Sequence, residues 1–342
     1  MDIGGNPTMR EIKVDVKENE ILNSDPKLLS ILLKDNSSGK NIIWATDDYA
    51  ENGEGYSASD QILPDLITGE NGELIKPRTE KTKQEQLNRI RNKAEVFTPS
   101  WICNKMNNLV DESWFGYKNV FNTESEDKSW KTKKSNIRFP KGKTWQEYVR
   151  EQRLEITCGE APFVVSRYDT VSGNIIPVKD RIGLLDRKLR VVSENTKTKQ
   201  QWLFWAKEAF KSMYAFEWQG DNVLLARENL LFTFCDYHEK KFRRYPSKEQ
   251  FRTIADIISW NIWQMDGLKF VIPNSCHEER SIQSGFFFGA EEEKLHHCEG
   301  CEKNDPNKHN GIYCWIMDWF DGKKGKKIKF ASLIKNEVKN DR

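Results

Sequence analysis

The strongest constraint on the fold of this chain is the alternation of two kinds of segment between residues 145 and 266. Segments without Gly or Pro predict helices at residues 145–150, 199–213, 222–241 and 247–260. Short apolar segments predict strands at residues 153–157, 214–218 and 262–265. Strands that alternate with helices of this length form βαβ units, so the sequence predicts an α/β fold with a parallel sheet.

The regions around this alternation divide the 342 residues into four predicted parts. Residues 1–77 form an N-terminal α+β segment, with strand and turn character over the first 60 residues. Residues 78–275 form the α/β domain, which includes a polar, loop-rich insertion at 111–143. Cys, His and charged residues then predict a small module over 276–320, and a basic tail follows over 321–342.

Two basic segments leave their role open. Residues 78–93 carry an excess of Lys and Arg, which is typical of a solvated surface helix and also suits a contact with phosphates. The tail includes Gly-Lys-Lys-Gly-Lys-Lys-Ile-Lys at 322–329, which either holds phosphates by nonspecific charge or is a flexible, solubilising end.

Composition excludes several classes of protein. Twelve Trp, 18 Phe and 9 Tyr are incompatible with a disordered chain. No apolar run approaches the roughly 20 residues that cross a bilayer, so we expect no membrane association. Seven Cys without a recognisable export signal predict reduced thiols and a cytoplasmic location. The net charge of +2 does not indicate a partner.

Each of the three predicted strands ends near a carboxylate and a turn. Glu155 precedes Cys158 and Gly159, Glu217 precedes Trp218, and Asp266 precedes a Gly. In doubly wound folds the ligand binds at the carboxyl ends of the strands, where an acid can accept hydrogen bonds from a ribose diol. We therefore expect the three carboxylates around one pocket, although a surface Glu and an Asp-Gly turn are the simpler interpretations of the last two.

Four segments occur in the order known from one family. They are Ala-Glu-Val-Phe-Thr-Pro at 94–99, Glu-Ile-Thr-Cys-Gly-Glu-Ala-Pro-Phe at 155–163, the stretch 214–230, and Asp266 with its Gly. In these segments the chain resembles the N-terminal part of the cofactor domain of adenine-specific (N6) DNA methyltransferases of restriction–modification systems, often labelled restriction endonuclease subunit M. The resemblance implies a Rossmann-like methyltransferase sheet that binds S-adenosylmethionine (SAM).

The resemblance also implies which residues contact SAM. In the family the first two segments surround the methionine end, the third holds the ribose and the fourth meets the adenine amine. The residues that match are Phe97, Thr98, Pro99, Glu155, Cys158, Gly159 and Phe163 for the methionine end, Glu217 for the ribose, and Trp218 and Asp266 for the adenine.

The chain departs from the family in three places. Glu155 stands where the family has Asp, and Ala161 stands where it has a second Gly. The catalytic tetrapeptide Asn-Pro-Pro-Tyr, which holds a flipped adenine, is missing, so no catalytic residue is predicted.

The missing tetrapeptide leaves three hypotheses. The first is a SAM-binding part that acts on double-stranded DNA with a second polypeptide, which carries the catalytic and target-recognition parts. The second is a noncatalytic DNA- or protein-binding subunit, and the third is a truncated remnant. An incomplete sheet has an unpaired edge strand and a partly uncovered face, so we expect aggregation or obligate association.

A cysteine cluster near the end of the chain predicts a metal site. Cys298-Glu-Gly-Cys301 has the spacing of one half of a structural zinc site. The other half comes from Cys276 or His277 and from His309 or Cys314. We predict the set Cys276, Cys298, Cys301 and Cys314, with free thiols as the alternative.

Overall fold

The computed structural model describes residues 14, 18–93, 95, 98–284, 291–322 and 324–334. The helices, in chain order, are α1 Glu18–Ser24, α2 Pro26–Leu33, α3 Pro64–Ile67, α4 Lys83–Lys93, α5 Ser100–Phe115, α6 Trp145–Arg150, α7 Leu184–Asn195, α8 Lys199–Lys211, α9 Gly220–Phe242, α10 Lys248–Asn261 and α11 Glu299–Lys303. The strands are β1 Asn122–Glu124, β2 Trp130–Thr132, β3 Arg153–Ile156, β4 Met213–Glu217, β5 Ile262–Gln264, β6 Glu279–Ser284, β7 Glu291–His296, β8 Trp315–Asp318 and β9 Lys326–Lys329. Short 3-10 turns lie at Ala50–Asn52, Gly69–Asn71 and Arg78–Glu80.

A parallel sheet of three strands, in the order β3-β4-β5, lies at the centre of the protein. Helices α7 and α8 connect β3 to β4, and α9 and α10 connect β4 to β5. The predicted mixed α/β fold with a parallel sheet is therefore confirmed, and the predicted helices and strands of this region lie within two residues of their observed bounds.

Side-chain caps mark the start of α6, which precedes β3, and of the connecting helices α8 and α10. Thr144, Thr198 and Ser247 each accept a hydrogen bond from the backbone N–H three residues later, and each helix returns a Glu or Gln side chain to the capping residue. These capping boxes satisfy backbone N–H groups that have no partner inside the helix.

One face of the sheet, here called the helix-covered face, packs against the connecting helices. Met213, Ala215 and Ile262 point to this side and belong to the main apolar core, together with residues of α7–α10. Helices α1 and α2 contribute Ile21, Leu29 and other side chains to the same core.

The opposite face, here called the C-terminal face, is covered by a smaller cluster. Tyr214, Phe216 and Trp263 are buried there against β8 and the segment around Phe330. This cover stops at β4. On β3, which pairs only with β4 among the described residues, Leu154 is 49% exposed and Ile156 is 65% exposed. The expected uncovered edge of the sheet is therefore present.

The N-terminal region differs from its prediction. Residues expected to have strand and turn character form α1 and α2. Asp25 caps α2 and Pro26 occupies its first turn, which are ordinary signals of a helix start that outweigh the Gly and Asn further along. The following chain is held at the end of β5, where the Gln264 side chain exchanges two hydrogen bonds with the backbone of Ile43.

The predicted insertion 111–143 is less loop-rich than expected. Its first residues complete α5, which ends at Gly116 in a left-handed conformation. Strands β1 and β2 form an antiparallel hairpin within it. Within the described parts of the chain, no helix combines the length and apolarity needed to cross a membrane.

Candidate functional site

A cleft of about 590 Å³ lies at the carboxyl ends of β3 and β4. Of the predicted SAM-contacting residues, the cleft is lined by Thr98, Glu155, Cys158, Gly159, Phe163, Glu217 and Trp218. Pro99 is close by as the residue before α5 but does not line the cleft. Phe97 lies outside the described residues.

The turn after β3 is shaped by left-handed backbone. Thr157, Gly159 and Ala161 have φ values of 49°, 52° and 61°. Alternating left-handed residues fold the chain back across the sheet edge, so that the Gly159 N–H donates to Glu217 Oε2 at 2.8 Å. Ala161 adopts a conformation that suits Gly, the residue found there in the resembling family.

Glu217 joins the ends of β3 and β4. Its Oε1 accepts hydrogen bonds from the backbone N–H groups of Trp218 and Gln219 at 2.8 and 3.3 Å, and its Oε2 accepts from Gly159. Burial nonetheless raises the pKa of Glu217. A ribose diol would therefore share or replace some of these backbone donors.

Glu155 is the carboxylate best placed to receive a new partner. Its Oε2 is buried and has no hydrogen-bond partner among the described residues. Burial raises its pKa to about 8, with a further contribution from the charge of Glu217, although backbone N–H groups of Phe163 and Val164 act in the opposite direction. A cation in the cleft would offset this cost of burying the charge.

Asn222, at the start of α9, adds a second acceptor of the same kind. It lines the cleft, is 1% exposed, and its Oδ1 has no partner in the described structure. A buried acceptor without a donor costs about 1–3 kcal/mol, so both oxygens favour a ligand that donates hydrogen bonds. Sequence analysis placed Asn222 at the start of a predicted helix and did not assign it to the site.

A buried ionic network closes the cleft on the side of α4. Arg89 contacts Glu95, which lines the cleft, and pairs with Asp221 at 2.8 Å. Burial raises the pKa of Asp221, but the charges of Arg89 and Lys81 outweigh it and hold that pKa below its usual range. Sequence analysis missed this network, because nothing in a solvated, basic helix singles out Arg89 as its buried member.

Asp266 is not brought into the cleft. It follows β5 at the same edge of the sheet, but its Oδ1 accepts from the backbone N–H groups of Leu268 and Lys269 at 2.9 and 3.1 Å. The prediction of three carboxylates around one pocket is therefore wrong for Asp266, which acts as the first residue of an Asp-Gly turn.

A separate cluster of thiols and one imidazole can hold a metal ion. The ligand atoms of Cys276, Cys298, Cys301 and His309 lie within 4.8 Å of one another. Each Sγ is 3.6 Å from His309 Nδ1. A tetrahedral ion with ordinary metal–sulfur and metal–nitrogen bond lengths places those atoms about 3.6 Å apart, so the spacing fits.

Surrounding backbone supports this cluster. A Cβ atom at Gly300 would lie 2.7 Å from His309 Nδ1, so the position just before Cys301 has to be glycine. The Asn310 N–H donates to Cys298 Sγ at 3.3 Å. Burial opposes ionisation, but hydrogen bonds from the Asn310 and Cys301 N–H groups lower the pKa of Cys298 to about 6, whereas burial raises that of Cys276 to about 12.

Cys314 is a correction to the predicted ligand set. It is fully buried under the C-terminal face of the sheet, where its thiol lies 3.3 Å from the backbone oxygen of Gln264. His309, left open as its alternative, takes the fourth position. His277 lies on the surface with its Nδ1 3.4 Å from the Ser275 carbonyl.

Comparison with protein-family models, with curated proteins and with solved structures found no match to this chain. Its function is therefore inferred from the two sites themselves.

Proposed function

We propose that this protein is the SAM-binding part of a site-specific adenine-N6 DNA methyltransferase of a restriction–modification system, built on an incomplete Rossmann-like sheet. The observation that carries the proposal is the pair of buried acceptors, Glu155 Oε2 and Asn222 Oδ1, that line one cleft at the carboxyl ends of parallel strands. Both favour a ligand that donates hydrogen bonds.

The donors of SAM match these acceptors in kind. SAM carries an ammonium group and a positive sulfonium at its methionine end, two ribose hydroxyls, and an adenine amine. In this proposal Glu155 binds the ammonium, Asn222 and Glu217 accept from the ribose hydroxyls, and the Trp218 ring covers the adenine. SAM supplies the methyl group for transfer, while this chain binds and orients it.

Calorimetry with SAM tests the proposal. We expect Glu155→Gln to weaken binding at least tenfold, because it removes the charge but keeps the shape of the side chain. Glu70→Gln, at an exposed position away from the cleft, is the matched control and should leave affinity unchanged. Folded protein that gives no heat at high micromolar SAM would exclude the proposal.

The alternative is a noncatalytic DNA- or protein-binding subunit that uses the same fold as a scaffold. The hydrogen bonds of Glu217 favour it, because three backbone N–H groups already fill most of its roughly four acceptor positions and leave little capacity for a ribose diol. Retention of double-stranded DNA by a protein without SAM affinity would support this function over the first.

In this proposal a second polypeptide supplies the catalytic and target-recognition parts, including the Asn-Pro-Pro-Tyr element. Within the described chain β3 pairs only with β4, so its other edge suits pairing with another strand, and the exposed Leu154 and Ile156 on the adjoining face offer apolar surface. We expect the isolated protein to self-associate and Ile156→Lys to reduce this in sizing chromatography. A wild-type monomer at high concentration would contradict the expectation.

We further propose that the metal is structural zinc. Three thiols and one imidazole form a closed four-ligand set, the usual arrangement of structural zinc, and no water or substrate position is needed. Elemental analysis should find one zinc per chain. Cys301→Ser should lose it and Cys314→Ser should keep it, and equal zinc content in the two variants would exclude the ligand set.

A further inference from the structure

A second cleft, of about 520 Å³, lies between β2, residues 178–180 and the C-terminal halves of α7 and α9. It shares no lining residue with the cleft at the ends of β3 and β4. Its charged residues are mostly cations, namely Lys133, Lys134, Lys179, Arg190, Lys240 and Lys241, with Asp180 and Glu194 as the two carboxylates.

The carboxylates do not neutralise these cations. Glu194 is engaged by Arg190 Nε at 2.7 Å and by the Ile137 N–H. Asp180 lies 4.0 Å from Lys179 on the surface, which is a weak contact. Lys134 and Lys240 have no hydrogen-bond or ion-pair partner among the residues that the structure describes.

Helix ends reduce the positive charge but do not cancel it. Helices α7 and α9 both end beside the cleft, and each C-terminus acts as roughly half a negative charge. Lys241 offsets the C-terminus of α7 by donating hydrogen bonds to the carbonyl oxygens of Ser193 and Thr196. Six cations against two carboxylates and two helix ends still leave an excess of positive charge. Burial, with the nearby charges of Arg181 and Arg190, lowers the pKa of Lys240.

We propose that this cleft binds phosphate groups, with Lys134, Lys179 and Lys240 as the main contacts. Lysine ammonium groups with a weak partner, as in Lys179, or with none among the described residues, as in Lys134 and Lys240, are ready donors to phosphate oxygens. An anion would also relieve the repulsion among them. The cleft is much larger than one phosphate, so we infer a ligand with several phosphates or a phosphodiester chain. This proposal does not depend on SAM binding.

The test uses inorganic tripolyphosphate and a 20-base-pair DNA duplex as probes on the full chain. The double variant Lys179→Gln/Lys240→Gln is compared with Lys27→Gln/Lys40→Gln, which removes the same charge from exposed lysines outside the cleft. We expect tripolyphosphate affinity to fall at least tenfold in the cleft variant and less than twofold in the control. Neither substituted cleft lysine makes a side-chain hydrogen bond within the described structure, and circular dichroism should confirm that both variants fold.

The two probes separate the sources of phosphate. If DNA binding also weakens, and its salt dependence falls by about 1.8 in the slope of log K against log salt, the ligand is a nucleic-acid backbone. If tripolyphosphate alone responds, the ligand is a small phosphorylated molecule. Equal responses of the two double variants to both probes, or no binding by the wild type, would overturn the proposal.

Discussion

The two faces of the central sheet are covered in different ways. On the helix-covered face, α7–α10 are the connections between the strands themselves, and they bury Met213, Ala215 and Ile262 in a core that extends to the N-terminal helices. On the C-terminal face, a separate segment returns over Phe216 and Trp263 and reaches only part of the sheet.

This difference shows which of the two faces needs stabilisation beyond its buried apolar core. A βαβ connection places its helix on the sheet by chain geometry, and the large core then stabilises it. The C-terminal cover has only a small buried cluster of apolar side chains. The metal-ligand cluster brings together two segments that precede β8, residue 276 and residues 298–309. We infer that a metal bound to this cluster would take the place of a larger core on this face.

The largest expected effect comes from removing the metal. Cys301→Ser should lower the opening free energy of the C-terminal cover by several kcal/mol, because structural zinc contributes about 10–16 kcal/mol of folding free energy in small domains. Hydrogen exchange should show lost protection at residues 312–330 and retained protection in α7–α10.

Cys314→Ser is the control for this experiment. It keeps the four ligands, and its hydroxyl can still donate to Gln264 O, so the cover should stay protected. Equal loss of protection on both faces in Cys301→Ser would mean that the two covers are one cooperative unit.

The second prediction compares one substitution on the two faces. Ile262→Ala, at a fully buried position of the helix-covered face, should cost about 2–5 kcal/mol of unfolding free energy. Ile156→Ala, on the bare part of the C-terminal face, should change it by about 0.5 kcal/mol or less in the monomer. Urea denaturation at low protein concentration measures both, and similar costs would show that β3 is covered in solution.

The comparison also explains what the sequence could predict. Most of the helix-covered face follows from local patterns, since capping residues such as Thr198 and Ser247 and Gly-free apolar segments predict α8–α10, whereas α7 was not predicted. Contacts between distant segments could not be read in the same way. The Arg89–Asp221 pair joins residues 132 positions apart. The hydrogen bonds between the Ile43 backbone and the Gln264 side chain depend on the assembled sheet.

The candidate sites follow the same division. Glu155 and Glu217 were predictable because strand ends of a parallel sheet converge on one edge. Asp266 was misplaced because its carboxylate satisfies its own turn, which residue type alone does not exclude. Cys314 was misassigned because sequence proximity to the other cysteines does not reveal that its side chain points under the sheet.

The third prediction concerns pH and the helix-covered face, where Glu155 lies in register with Ala215. Its pKa is raised to about 8 when folded, so the folded state binds more protons than the unfolded state between about pH 4.5 and pH 8. Stability should therefore fall as pH rises through this window, by up to about 1.4 kcal/mol per pH unit, and level off above it.

Glu155→Gln isolates this contribution. The variant cannot lose a proton at this position, so the difference in unfolding free energy between variant and wild type should grow from pH 5 to pH 8. Glu160, whose pKa is also raised by burial, remains in both proteins and cancels in the difference. Glu217 cancels only in part, because its charge and that of Glu155 raise each other's pKa. If the difference in unfolding free energy does not change with pH, the pKa of Glu155 is not raised in the folded protein.

The smallest effect tests whether the helix-covered core tolerates local strain. Ala161 belongs to that core and has a left-handed backbone, whereas Ala226 lies in the same core within α9. Replacing either by Gly removes one buried methyl group and raises the conformational entropy of the unfolded chain by the same amount. Only Ala161→Gly also removes the conformational cost of a left-handed alanine, which is roughly 1–2 kcal/mol. Ala161→Gly should therefore be less destabilising than Ala226→Gly by about that amount in thermal or urea unfolding. Equal costs would show that the turn after β3 changes its backbone in solution, and the cleft that this turn shapes would then have to form when its ligand binds.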